Sequence, residues 1–371
     1  MATSAKHLLI ASTEAYCGKS ATILGLSYLA QAKDIAIGYG QPLAADFREN
    51  LEDPAPAEDA KLLATALGLS NAQAKQPLLS LDRHTIEQRL QGSDRQDYSQ
   101  AVREYVAQIE GELIFLEGSS NLWEGSVFNL SVPEVAELVD ASILLVARYH
   151  PQLLVGSLLS AKKFLGDRML GVIINDIPPT EFRVASETIK LYLEEQQISV
   201  LGMIPKDRIL NSISVKEIAK RLNAEVLCCS EHLDWMVESL SIGAMNVNSA
   251  LGYFRQRENM AVVTGGDRTE LQMAALETST HCLILTGRIP PKDLIIERAE
   301  SLEIPVLSVD TDTLTTVEVV DSAFGKVPLS EEIKVRQIKR LMQQNFDFDR
   351  LLKQLNLETA TSATISRYDD L

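Results

Sequence analysis

The run His7-Leu8-Leu9-Ile10-Ala11-Ser12-Thr13-Glu14-Ala15-Tyr16-Cys17-Gly18-Lys19-Ser20 constrains the fold more than any other stretch of the chain. An apolar segment ends in a polar turn, passes through Gly-Lys-Ser and enters Ala21-Thr22-Ile23-Leu24-Gly25-Leu26, which reads as a helix. Strand, turn and helix in that order aim backbone N–H groups and a helix N-terminus at a phosphate. Lys19 then supplies a point charge, and the Ser20 hydroxyl can reach Mg²⁺. The usual pattern has Gly five residues before Gly18, where Thr13 stands. Taken alone, Gly-Lys-Ser also fits a plain helix start.

The segments beyond the loop decide between these readings. Apolar runs at Leu8–Ser12, Ile35–Tyr39, Leu113–Glu117, Ser142–Ala147, Leu170–Asn175 and Val200–Ile204 predict strands. Amphipathic segments at Lys19–Gln31, Ala57–Leu67, Tyr98–Glu110, Gln152–Phe164 and Glu181–Glu195 predict helices. Such alternation implies an α/β fold, a parallel sheet covered by helices on both faces. Ligands of such sheets bind beyond the carboxyl ends of the strands. Pro42–Pro56 is a loop rich in Pro, Asp and Glu after the second strand.

A second alternating set begins with a helix at Val215–Leu222 and a strand at Glu225–Cys229. Strands at Ala261–Thr264, Cys282–Thr286 and Pro305–Val309 come next, with helices at Arg268–Glu277 and Lys292–Ser301 between them. The expected organisation is a P-loop domain at 1–210, a smaller α/β domain at 211–325 and a C-terminal segment at 326–371. That last segment holds a helix at Glu331–Asn345, and its tail, Thr359–Leu371, has little to bury and reads as disordered.

Composition narrows the function classes. Fifty-one acidic against 35 basic residues give a net charge of −16, a field that repels nucleic acid and anionic membranes. Aromatics make up 5%, too few for a platform that stacks bases. No apolar run is long enough to span a bilayer, and the N-terminal one flows into the Gly-Lys-Ser turn, so it reads as a core strand in a cytosolic protein. Cys17, Cys228, Cys229 and Cys282 lack zinc-ligand spacing and read as free thiols.

Two more elements belong beside the loop. Leu113-Ile114-Phe115-Leu116-Glu117-Gly118 ends a strand on an acid, which could hold Mg²⁺ or stand in solvent. Gly171-Val172-Ile173-Ile174-Asn175-Asp176 ends a strand on an amide, which could pair with a base edge or open an Asx turn into Pro178-Pro179. In the second domain Thr264-Gly265-Gly266-Asp267-Arg268-Thr269-Glu270 sets two glycines between strand and helix. Asp267 and Glu270 have the spacing of a capping box, and Arg268 beside a helix N-terminus suits an anion.

Together these elements resemble the deethiobiotin-synthetase-like branch of P-loop proteins, which also forms the N-terminal domain of long phosphotransacetylases. The loop of that branch, Gly-Thr-x-x-x-x-Gly-Lys-[Thr/Ser], is similar to Ser12–Ser20. Its Glu-Gly strand end is similar to Glu117-Gly118, and its Leu-Gly-x-Ile-Pro turn to Leu201-Gly202-Met203-Ile204-Pro205. The resemblance implies ATP contacts from Thr13, Glu14, Gly18, Lys19, Ser20 and Ala21, a base contact from Asn175, and Mg²⁺ at Ser20, Asp59 and Glu117. The Lys-Pro of the branch appears here as Gln41-Pro42, so the charge that handles the carbamate in the synthetases is missing.

Residues 211–325 resemble the DRTGG domain through Thr264, Gly265, Gly266, Asp267 and Arg268, which implies a regulatory or oligomerising role with a ligand or partner at that motif. An acetyl-transfer domain would need several hundred residues beyond Leu371, so a phosphate acetyltransferase is not expected. The expected function is a cytosolic ATP- and Mg²⁺-binding regulatory protein, self-associating, with weak or no ATPase activity. An ATP-dependent ligase acting on a carboxylate or carbamate and a scaffold that binds no nucleotide are the alternatives.

Overall fold

Strands buried on both faces need helices on both sides, and the sheet of the first unit meets that need. The computed structural model describes residues 5–45, 56–243, 247–325 and 331–357. The chain divides into two units, Met1–Lys206 with Pro328–Leu371, and Asp207–Val327.

The first unit holds β1 (Lys6–Ser12), β2 (Ile37–Gly40), β3 (Ala74–Lys75), β4 (Leu113–Glu117), β5 (Ser142–Arg148), β6 (Met169–Ile177) and β7 (Val200–Pro205) in one sheet of order β3-β2-β4-β1-β5-β6-β7. Every pairing is parallel. Register fixes the site: Ile10 lies opposite Glu117, and Ser12 opposite Val146. The loop leaving β1 therefore starts between the carboxyl ends of β4 and β5. One face of the sheet carries a core that includes Leu9, Leu116, Leu145 and Ile174. Helix α1 (Lys19–Gln31) buries Ile23, Leu24 and Leu26, and α2 (Pro56–Ala66) comes after β2 and residues outside the described set. Leu43–Ala45, within the expected Pro42–Pro56 loop, pairs in parallel with Leu79–Leu81. The segment predicted as one helix at Glu181–Glu195 contains a π-helical turn over Ala185–Ile189.

The second unit builds its own sheet from β8 (Glu225–Cys228), β9 (Ser239–Ile242), β10 (Met260–Gly265), β11 (Thr280–Thr286) and β12 (Val306–Val309), in the order β8-β12-β11-β10-β9. Only β8 runs antiparallel to its neighbour. One face packs Phe254, Ile295 and the inner side of α3 (Thr269–Leu276), and the other packs Val215, Ile218 and α4 (Thr313–Ala323).

The C-terminal segment, set apart on sequence, returns to the first unit. Helix α5 (Glu332–Asn345) buries Ile338, Leu341 and Met342, and α6 (Phe348–Gln354) buries Leu351 and Leu352. A Cβ on Gly25 of α1 would lie 2.2 Å from Met342 Cγ, so glycine there lets α5 come against α1. Both terminal guanidinium nitrogens of Arg350 donate to Glu194 at 2.8 Å, and Nη2 also reaches Ser199 Oγ at 3.1 Å. The reason is the apolar stripe of α5, which has to be covered. The expected disordered tail lies outside the described residues. Among the described residues no helix is long and apolar enough to cross a membrane.

Candidate nucleotide site

Strand β1 delivers Ser12 to the carboxyl edge of the sheet, and α1 begins six residues after Thr13 with Gly18 at its N-cap, φ 95°. The first helical bond runs from Thr22 N–H to Gly18 O at 2.9 Å. The N–H groups of Gly18, Lys19, Ser20 and Ala21 therefore have no acceptor within the helix, the arrangement that takes a phosphate. Lys19 Nζ lies 3.1 Å from Ser12 Oγ. Ser12, which replaces the first glycine of the loop pattern, is fully buried, with its hydroxyl 2.9 Å from Glu14 O and 3.0 Å from Ser120 O. It ties the loop to the segment after Glu117. Thr13 is half-buried and Glu14 exposed.

Strand-end groups hold the outer side of the loop. Asn175 Nδ2 donates to Cys17 O at 2.8 Å, and Arg148 Nη2 donates to Tyr16 O at 2.6 Å. A trans peptide points its N–H opposite to its C=O, so fixing these two carbonyls turns the N–H groups of Cys17 and Gly18 the other way. Gly18 is required twice over: its φ is left-handed, and a Cβ there would sit 2.6 Å from Asn175 Nδ2. The amide expected to meet a base thus has its nitrogen on the loop in this structure. Burial pushes the Cys17 thiol pKa up, which makes it a poor nucleophile.

On the metal side, Ser20 Oγ donates to Glu117 Oε1 at 2.7 Å, and Tyr39 Oη donates to Glu117 Oε2 at 2.9 Å. Glu117 is 7% exposed and Tyr39 1%. A hydroxyl and a carboxylate at the mouth of a phosphate loop fit Mg²⁺, a hard cation that keeps several waters and takes one or two protein oxygens with the phosphates. The side chain of Asp59, on α2, lies outside the described residues. Gln41 N–H donates to Tyr105 Oη at 2.9 Å. The cavity beside Glu117, lined by Pro42, Leu43, Ser119 and Leu130, measures about 10 Å³, room for about one water.

The second-domain motif packs a turn. A Cβ on Gly266 would lie 2.0 Å from Ile289 O, and buried Gln272 donates from Nε2 to Gly265 O at 2.8 Å and Gly266 O at 3.0 Å. Thr264 Oγ1 donates to Gly243 O at 3.1 Å. The expected capping box is not formed: α3 starts at Thr269 with Arg268 at the N-cap and no side-chain cap. The physical reason is the tight turn in which Arg268 N–H bonds Gly265 O at 3.1 Å, moving the cap one residue on. Asp267 and Arg268 are exposed.

Sequence reasoning missed Tyr39, Arg148 and Gln272. Gln272 left a signal, a polar residue on the inner face of a predicted helix. Tyr39 left only a phenol inside an apolar strand.

Comparison with known proteins identifies the families of the two domains. The AAA domain family matches residues 6–214, and the DRTGG domain family matches residues 217–323. The chain is similar to the phosphate acetyltransferase of Synechocystis sp., 26% identical over 370 residues, with 94% of this chain and 51% of that protein covered. It is similar to the phosphate acetyltransferase of Nitratidesulfovibrio vulgaris at 23% identity, with 93% and 51% covered. The chain spans about half the length of the curated relatives it matches. Among solved structures it is similar to the CBS and DRTGG domains of Clostridium perfringens pyrophosphatase, complexed with the activator diadenosine tetraphosphate. There the TM-score is 0.29 and identity 19%, with 46% of this chain and 86% of that one covered. The expected α/β architecture and order of domains hold, and the chain belongs to the AAA domain family through its P-loop nucleotide-binding domain, which a DRTGG domain follows.

Proposed function

We propose that this protein is a cytosolic ATP- and Mg²⁺-binding regulatory protein with weak or no ATPase activity, which signals or self-associates through its DRTGG domain. The observation that carries this reading is the 2.7 Å bond between Ser20 Oγ and Glu117, formed where the N-terminus of α1 meets the carboxyl ends of β1 and β4. Lys19, the loop N–H groups and Ala21 would hold the phosphates. Ser20 and Glu117, with Asp59, would hold the cation, and Asn175 would contact the base through Oδ1 while its Nδ2 stays on Cys17 O. Bound Mg²⁺ would neutralise charge on the phosphate oxygens.

One observation supports binding over ligation: Gln41 stands where the synthetase-like branch carries lysine. The scaffold alternative is opposed by the held carbonyls of Tyr16 and Cys17, which keep the loop in shape.

Titration calorimetry with Mg-ATP on the full chain and on Lys19→Ala tests the reading. The natural chain should bind, and the variant should lose at least about tenfold in affinity, consistent with a charge-assisted phosphate contact. At a ligand concentration of 100 Kd the natural chain should gain about 2.7 kcal/mol of stability. No heat and no thermal shift in the natural chain would sink the proposal. Sedimentation of the full chain checks self-association.

A further inference from the structure

We infer that Tyr39 is a positioning residue for the divalent cation: its phenol holds Glu117 in the orientation in which that acid and Ser20 take the cation of Mg-ATP. The inference rests on the nucleotide reading above. A carboxylate that is 7% exposed needs donors on both oxygens. Ser20 provides one at 2.7 Å, but Ser20 stands on the first turn of α1 and its oxygen is also the one a cation would take. Tyr39 provides the other at 2.9 Å from a different element. It lies on β2, paired with Phe115 two residues before Glu117, and its ring is buried.

One hydrogen bond leaves the carboxylate plane free to turn, whereas two from separate elements fix it. Groups that orient metal ligands in this way typically set metal affinity by 10–100-fold. Tyr39→Phe keeps the ring and removes only the donor. Oε2 would then be left without this partner and the carboxylate would rotate towards another. Lys19 and the loop N–H groups would be untouched, so the loss should appear in cation affinity and not in cation-free nucleotide binding.

The experiment titrates Mg²⁺ into the full chain with a fluorescent ATP analogue, and measures analogue binding in EDTA. Tyr39→Phe should raise the Mg²⁺ midpoint about tenfold or more, with affinity in EDTA unchanged. In a Glu117→Gln background the same substitution should add little, because the carboxylate it positions is gone. If Tyr39→Phe fails to fold, 3-fluorotyrosine placed at 39 keeps the phenol. Its fluorine resonance should then move on adding Mg²⁺ to the nucleotide-bound chain, and should stay still in Glu117→Gln.

An unchanged midpoint overturns the inference, as does an equal loss with and without Mg²⁺, or a resonance that ignores Mg²⁺. Each of those results leaves nucleotide binding by the natural chain standing. A natural chain that binds no nucleotide under any condition refutes the underlying reading, and this inference with it.

Discussion

Gly18→Ala tests the description of the loop most directly. The native φ of 95° costs an L-residue about 1–3 kcal/mol. The new Cβ would lie 2.6 Å from Asn175 Nδ2, so the amide must withdraw and give up its 2.8 Å bond to Cys17 O, a further loss of about 1 kcal/mol. The expected total is about 2–4 kcal/mol. For a domain of this size that lowers Tm by about 2–4 °C per kcal/mol. Scanning calorimetry of four proteins separates the two contributions: natural, Gly18→Ala, Asn175→Ala and the double variant. With Asn175 shortened, neither clash nor bond remains, and Gly18→Ala should cost only its backbone strain. The double variant should therefore be about 1 kcal/mol or more better than the sum of the singles. Gly156→Ala is the control, since an added Cβ there meets nothing within 4 Å in the helix Leu154–Leu165. It should stabilise by about 0.5–1 kcal/mol. Additivity of Gly18→Ala and Asn175→Ala within about 0.5 kcal/mol would refute the claim that the amide and the glycine share one space.

Other elements yield further expectations. Gly266→Ala should destabilise the second unit by about 1–3 kcal/mol or more, because its Cβ would press on the Ile289 carbonyl; denaturant unfolding checks it. Arg350's hydrogen bonds hold the Glu194 carboxyl below its usual 4.5, so the stability they confer is fully present above that pH and is lost as pH falls through the lowered native value. Acid unfolding curves of Arg350→Ala and the natural chain should therefore differ at neutral pH and converge on acidification. Burial raises the pKa values of Cys17, Cys228 and Cys282, and that of Cys229 is pushed up to about 12. An aromatic disulfide reagent at pH 8 should then react slowly with the native chain and rapidly with all four thiols in denaturant.

Local patterns were legible in the sequence because periodicity encodes them. Lys19–Gln31 has the same bounds in the residue pattern and in the structure, and Glu117 ends its strand as expected. Choices made across the sheet were not legible. Nothing near Tyr39 in sequence says that its phenol meets Glu117, and nothing near Ser12 says that its hydroxyl meets Lys19 and the Ser120 carbonyl. The helix at Glu331–Asn345 could be read from its apolar stripe, but not its seat on α1, which depends on the missing side chain of Gly25. Asp267 had the spacing of a cap, yet the hydrogen bonds of Gly265 moved the helix start past it.

The return of α5 to α1 bears on how this chain is made. Helix α1 leaves the ribosome before the second unit, and the residues that cover its Gly25 face come after the whole of the second unit has been translated. A domain emerging in chain order usually folds as soon as it is complete. Here the first unit cannot be complete until Met342 has appeared, so while the second unit is being translated the nucleotide-binding body would display an uncovered apolar helix face. That delay marks the closing contact between α1 and α5 as a slow, long-range step of folding.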